Sequence, residues 1–244
     1  MQDQQQPGSM DIATSLANIV GPDGVLQDDE SRRFYSTDVY READVLALLV
    51  VRPANVDELQ QVVKECAAND CAMVVRGGGA SYTDGYLAIK ENTVCIDTSA
   101  LNQIEIHEED MYVTAEVGVT WAALYEALKA RGLRTPFWGP FSGRVATVGG
   151  SMSSYAVNYG SGSYGVSAES LTGLDVVLAS GELVSTGSAG GVNGTPFFRF
   201  YGPDLTGLFV GDAGALGVKA RVSMRLMKRP TGFAACSFGF PDGE

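Results

Sequence analysis

The sequence predicts an α+β fold in two small lobes, a parallel β-α-β lobe followed by a larger lobe with a mixed or antiparallel sheet flanked by helices. Two observations predict it. Short, almost continuously apolar runs separated by one helical period occupy 45–76, as expected of parallel strands buried on both faces. From about residue 103 the pattern changes to alternating apolar and polar positions, the period of strands with one solvated face.

Taken in order, residues 1–10 read as a disordered lead, and 11–20 as a short amphipathic helix ended by Gly21 and Pro22, peripheral to the fold. The run 45–52 is rich in Val and Leu and reads as a strand broken by Pro53. Asn55 or Asp57 can cap a helix over about 56–68, whose apolar residues Leu59, Val62, Val63 and Cys66 share one face. Strands are predicted at 72–76 and 93–97. In the second lobe the strands fall near 103–107 and 111–117, and a helix over about 121–131 is stopped by Gly132. Strands at 173–179 and 183–187 are joined at Ser180-Gly181, and a long alternating strand runs over 218–226. The organisation predicted is a lead and helix at 1–24, a first lobe at 25–100, a second at 101–229 and a short segment, 230–244, beyond it.

Composition narrows the partners. The formal net charge of −12, with 17 Lys and Arg, repels a phosphate backbone or an anionic membrane. Four cysteines without CxxC spacing and a single histidine, His107, provide no zinc pattern and read as reduced thiols of a cytoplasmic protein. The longest apolar stretch, 45–51, is too short to span a bilayer, so no membrane insertion is expected.

The chemistry centres on Arg76-Gly77-Gly78-Gly79-Ala80-Ser81-Tyr82, where the second strand of the parallel unit ends. Successive glycines can take positive φ and turn backbone N–H groups inward, forming a nest for phosphate oxygens. Alone, a triple glycine reads equally as a tight turn. A Rossmann site is disfavoured because the glycines follow the second strand and Thr83-Asp84-Gly85 opposes a helix there, and a Walker loop fails for lack of GK[ST].

Four further blocks follow in order: Val117-Gly118-Val119-Thr120-Trp121; Ala146-Thr147-Val148-Gly149-Gly150-Ser151; Leu174-Asp175-Val176-Val177-Leu178-Ala179-Ser180-Gly181; and Gly202-Pro203-Asp204-Leu205-Thr206-Gly207-Leu208-Phe209 with 211–218. With the glycine loop they resemble, over roughly 25–228, the FAD-binding domain of the p-cresol methylhydroxylase and vanillyl-alcohol oxidase flavoproteins, which include glycolate oxidase D-subunits and D-lactate dehydrogenases. The resemblance implies that amides of Gly77, Gly78, Gly79, Ala80 and Ser81 hold the FAD pyrophosphate. It also implies that Pro140, Thr147, Gly149, Gly150 and Ser153 line the flavin's path, and that Val218 lies near the adenine. For Pro140 and Ser153 taken alone a loop-packing role is equally open, and Arg76 can touch flavin or pair with an acid near the loop.

The implied activity is hydride transfer from a substrate C–H to the flavin, then reoxidation by oxygen, a quinone or an electron-transfer protein. The small-molecule substrate is read as a 2-hydroxy acid, with a para-substituted phenol as the alternative, since 158–162 drift toward the phenol-oxidising branch. Many relatives attach FAD through a histidine in the glycine loop. Here Ala80, Ser81 and Tyr82 stand there, which implies non-covalent FAD, and His107, in an acidic alternating segment, reads as a strand or surface residue. Relatives continue into a substrate-binding cap, where their catalytic groups mostly lie. Residues 233–240 read as the first strand of such a cap, either on a longer chain or completed by a partner chain, and no catalytic residue is assigned. A flavin-carrying subunit without turnover of its own is a further alternative.

Overall fold

The computed structural model describes residues 9–240 apart from Trp138, Phe141 and Phe233, with side chains from Ile12 onward. The lead at 1–8 lies outside the described residues. The first lobe runs through α1 (Ser9–Val20), β1 (Val25–Leu26), α2 (Asp29–Tyr35), β2 (Leu49–Val51), α3 (Val56–Ala68), β3 (Ala72–Arg76) and β4 (Thr93–Asp97). The second comprises β5 (Ile104–His107), β6 (Tyr112–Glu116), α4 (Trp121–Lys129), β7 (Leu133–Arg134), α5 (Val148–Ser153), α6 (Ser161–Tyr164), β8 (Leu171–Val177), β9 (Leu183–Ser185), α7 (Leu205–Leu208), β10 (Val218–Arg225) and β11 (Met227–Lys228).

The first sheet has the order β1-β2-β4-β3, with β2 and β3 both parallel to the central β4. The crossover helix α3 begins where Asn55 accepts a hydrogen bond from the Glu58 N–H, so Asn55 rather than Asp57 is the cap. It buries Leu59, Val62, Val63 and Cys66, each such side chain contributing roughly 1.5–3 kcal/mol. β4 is buried throughout, as its apolar run predicts, whereas β3 is only half-buried along most of its length because it is the sheet's outer strand. The expectation that both parallel strands are buried on both faces therefore fails for β3.

The predicted strand at 45–52 shortens to β2. Ahead of it the backbone is satisfied by side chains of the α2 region instead of by a ladder: the Ala47 N–H donates to Ser36 Oγ at 2.9 Å, and Arg32 Nε donates to the Ala47 carbonyl at 2.8 Å. The first helix is not peripheral. Ile12 and Leu16 are buried in one apolar core that also takes in β2, α3, β6 and β10, so a single core spans the two lobes.

The second sheet, β5-β6-β10-β8-β9, is antiparallel at every junction. The hairpin between β8 and β9 turns at Gly181, whose φ of 83° favours glycine, and the Gly181 carbonyl accepts a hydrogen bond from Gln60 Nε2 of α3 at 2.8 Å. That bond ties the crossover helix of the first lobe to the hairpin of the second. Residues 234–240 carry no strand in the structure, and Phe238 and Phe240 are exposed, contrary to the strand expected there.

Candidate functional site

Three of the blocks singled out in the sequence meet as backbone. The Val148 N–H donates to the Val119 carbonyl at 2.8 Å, the Gly149 N–H to Val117 at 3.1 Å, and the Trp121 N–H to Ala146 at 3.1 Å, which zips 117–121 onto 146–149. Trp121 Nε1 also donates to Ser151 Oγ at 2.7 Å. The Gly211 N–H donates to Met152 at 2.9 Å and the Ala213 N–H to Ser153 at 3.0 Å, adding the segment before β10. Thr147 caps α5, its Oγ1 accepting from the Gly150 N–H at 3.2 Å.

Against this second-lobe wall lies the glycine loop. Of the three glycines only Gly79, with φ 66°, is left-handed. The other two are required by space: a Cβ on Gly78 would fall 1.6 Å from the Val145 carbonyl oxygen, and one on Gly77 would fall 2.4 Å from Thr147 Oγ1. The triple glycine is thus as much the contact between the lobes as a nest, a correction to the view that all three serve positive φ. No helix follows the loop, as Thr83, Asp84 and Gly85 predicted.

The two walls enclose a cleft of about 500 Å³, within the usual range for small-molecule and cofactor sites of roughly 300–1,000 Å³. Gly77, Gly78, Gly79, Ala80, Ser81, Pro140, Thr147, Gly149, Gly150, Ser153 and Val218 all line it. Arg76 does not. It points under the loop, where its guanidinium donates to the Phe34 carbonyl at 2.9 Å and sits 4.6 and 4.8 Å from the Phe34 and Tyr35 ring centroids, in place of the acid partner expected. His107 is also outside the cleft, stacked on Tyr112 with centroids 4.2 Å apart and 3.3 Å from Glu105.

Lining residues that sequence reasoning missed include Thr83, Tyr155, Asn158 and Lys219. Only Lys219 could have been found, as the residue after Val218 in the last strand; the others sit in loops without periodicity. Among the described residues Lys219 is the one charged side chain on the wall, and it is buried against Asp212, itself buried. Burial pushes the Lys219 ammonium below the ordinary lysine value while Asp212 pulls the other way. The carboxylate also accepts from the Gly214 N–H at 3.0 Å, so the pair braces the turn entering β10.

These features fit FAD. Backbone N–H donors, and hydroxyls at Ser81, Thr147 and Ser153, suit a diphosphate and polyol chain. Small residues admit close approach, and the Asn158 amide stands buried without a hydrogen-bond partner on the same wall.

Comparison with known proteins agrees. A family model described as an FAD binding domain matches residues 47–187. Glycolate oxidase subunit GlcD of Bacillus subtilis is 28% identical over 220 residues, covering 90% of this chain and 45% of that protein. A mitochondrial D-lactate dehydrogenase [cytochrome] of Arabidopsis thaliana is 31% identical, covering 88% of this chain and 37% of that protein. Among solved structures, p-cresol methylhydroxylase with substrate bound superposes with a TM-score of 0.78 at 22% identity, covering 95% of this chain and 46% of that one, a likeness of fold. The chain spans less than half the length of these relatives. A family model matched across more than half of the sequence has one meaning: the chain belongs to the FAD binding domain family.

Proposed function

We propose that this chain is the cofactor-holding part of an FAD-linked oxidoreductase that oxidises a small 2-hydroxy acid. The observation that carries the proposal is the cleft lined by residues of 77–83 and 146–158, glycine-rich and hydroxyl-bearing segments of the two lobes. The names of the glycolate oxidase and D-lactate dehydrogenase relatives support the substrate class. The phenol alternative draws on likeness of fold alone. When bound, FAD supplies the two-electron acceptor for a substrate C–H.

The chain's own part is to bind and orient. Residues 77–81 hold the diphosphate through N–H groups, Thr147 and Ser153 provide hydroxyls, and Val218 borders the adenine. With Lys219 already neutralised by Asp212, the diphosphate charge is met by aligned backbone dipoles. FAD is held non-covalently at this loop: Ala80 and Ser81 offer no attachment chemistry of the histidine type, and His107 lies outside the cleft. Residues 230–244 lead toward a substrate-binding cap, on this chain's continuation or a partner, which covers the flavin and provides the catalytic groups. An electron acceptor, whether oxygen, a quinone or an electron-transfer protein, completes the cycle. Four unpaired thiols support a reducing, cytoplasmic setting, and among the described residues no helix is long and apolar enough to cross a membrane.

The test is the visible spectrum of the purified chain, supplied with FAD if colourless, before and after acid precipitation. Flavin absorbance released into the supernatant is expected. Colour retained in the pellet overturns the non-covalent reading, and absence of binding overturns the cofactor-holding role.

A further inference from the structure

We infer that the side-chain amide of Asn158 is the cleft's contact to the pyrimidine edge of the flavin ring, an inference that rests on the FAD reading above. Asn158 is 7% exposed and lines the cleft, yet both its Nδ2 and its Oδ1 are buried without a hydrogen-bond partner. A carboxamide carries two donor hydrogens and an acceptor, and buried ones are almost always satisfied. An amide left open on the wall of a ligand cleft marks a polar contact that the ligand completes.

The surroundings hold the residue in place. The Asn158 N–H donates to Ser161 Oγ at 3.0 Å, and the Ser161 N–H donates back to the Asn158 carbonyl at 3.0 Å. Gly160 presses this turn against its neighbours, since a Cβ there would fall 2.9 Å from the Pro136 carbonyl oxygen. Ala156, two residues earlier, is tied at both ends, its N–H to the Ser151 carbonyl and its carbonyl to Ser167. The backbone N–H and carbonyl of Ala156 and Asn158 are therefore committed, and the Asn158 side chain is what remains open.

An amide with donor and acceptor both open is matched by a group presenting a carbonyl or ring nitrogen beside an N–H. Phosphate oxygens only accept, so they match half of it. FAD offers two such edges, the imide of the flavin pyrimidine ring and the amino-pyrimidine edge of adenine. The flavin ring is favoured because Asn158 follows Tyr155, Ala156 and Val157 on one stretch of wall, and Tyr155 and Val157 are exposed apolar surface suited to a flat tricyclic ring. Val218, the residue assigned to adenine, is on β10 instead.

The experiment compares wild type, Asn158→Leu and Asn158→Gln in apoprotein melting, affinity for FAD and for ADP, and the visible spectrum and reduction potential of the bound flavin. The expected result is that Asn158→Leu weakens FAD binding about tenfold, one hydrogen-bonded contact. It should also shift the flavin band and lower the potential, leave ADP affinity unchanged and leave apoprotein melting equal or higher, with Asn158→Gln partly restoring the spectrum. Equal losses for FAD and ADP with an unchanged spectrum assign the amide to adenine and overturn the inference. A fall in apoprotein melting, with unchanged affinity and spectrum in the folded variant, makes Asn158 a packing residue and overturns it too. A wild-type chain that binds no FAD overturns the cofactor reading itself, whereas one that binds FAD no better than its Leu variant overturns this inference alone.

Discussion

At the scale of single residues the site depends on absent side chains more than on present ones. Gly78 faces the Val145 carbonyl so closely that any Cβ displaces one lobe from the other. Gly78→Ala is expected to cost about 1–3 kcal/mol, the usual range for forcing extra atoms into a packed contact, and to reduce the flavin content of the purified chain together with its melting temperature. Gly162→Ala is the control: nothing lies within 4 Å of its added Cβ, and melting should be unchanged or slightly raised. If the two variants melt and bind FAD alike, the glycine loop is an ordinary turn. Arg76 belongs to the same scale. A basic residue beside a glycine loop invites assignment to the ligand, but its guanidinium lies beneath the loop against a carbonyl and three aromatic rings, those of Phe34, Tyr35 and Tyr86.

Among elements, the loop that follows α2 supports the glycine loop from outside. The Val39 N–H donates to the Ser81 carbonyl at 3.1 Å, and Asp38 accepts from the N–H groups of Tyr40, Arg41 and Asp84 at 2.7, 2.8 and 3.1 Å. Burial acts to raise the Asp38 carboxyl's pKa, and these backbone donors together outweigh it, so the group sits below its ordinary 3.8. A carboxyl whose folded value is depressed stabilises the fold above its unfolded value and loses that contribution as pH falls through the folded one. Asp38→Ala should therefore show a flatter fall in melting temperature between about pH 5 and pH 3 than wild type. Parallel curves for the two would remove Asp38 from the acid response. Sequence periodicity placed α3, β3 and β4 at their observed bounds, but overextended β2, whose leading residues find partners on α2.

For the molecule as a whole, one core passes through both lobes, so the cleft is the open side of a single packed body. The four thiols report on this. Burial pushes the thiols of Cys66 and Cys95 up to about 12, while Cys71 is partly buried and Cys236 is exposed. In native protein near neutral pH a maleimide should label Cys236 first and Cys71 more slowly, reaching Cys66 and Cys95 only in denaturant, because the thiolate is the reactive form. Prompt native-state labelling of Cys95, which lies on the central β4, would mean that the first lobe opens on its own.

What the sequence determined by itself was local and periodic: the α+β class, the capped α3, the positions of the second sheet's strands, and the five glycine-bearing blocks that carry the resemblance. These are legible because helix and strand periods, caps and left-handed glycines are properties of neighbouring residues. The one solvated face expected of the second sheet's strands fails for β6, β8 and β10, which are buried along almost their whole length. The tertiary structure alone decided which blocks meet. It put 117–121 against 146–149, set Gly77 and Gly78 beneath Val145 and Thr147, turned Arg76 away from the cleft and left the Asn158 amide open within it. It also drew the first helix into the core and left residues 234–240 without a strand. The physical reason is that hydrogen-bond partners and burial at these positions come from segments tens of residues away, and the distance between such segments is a property of the packed chain.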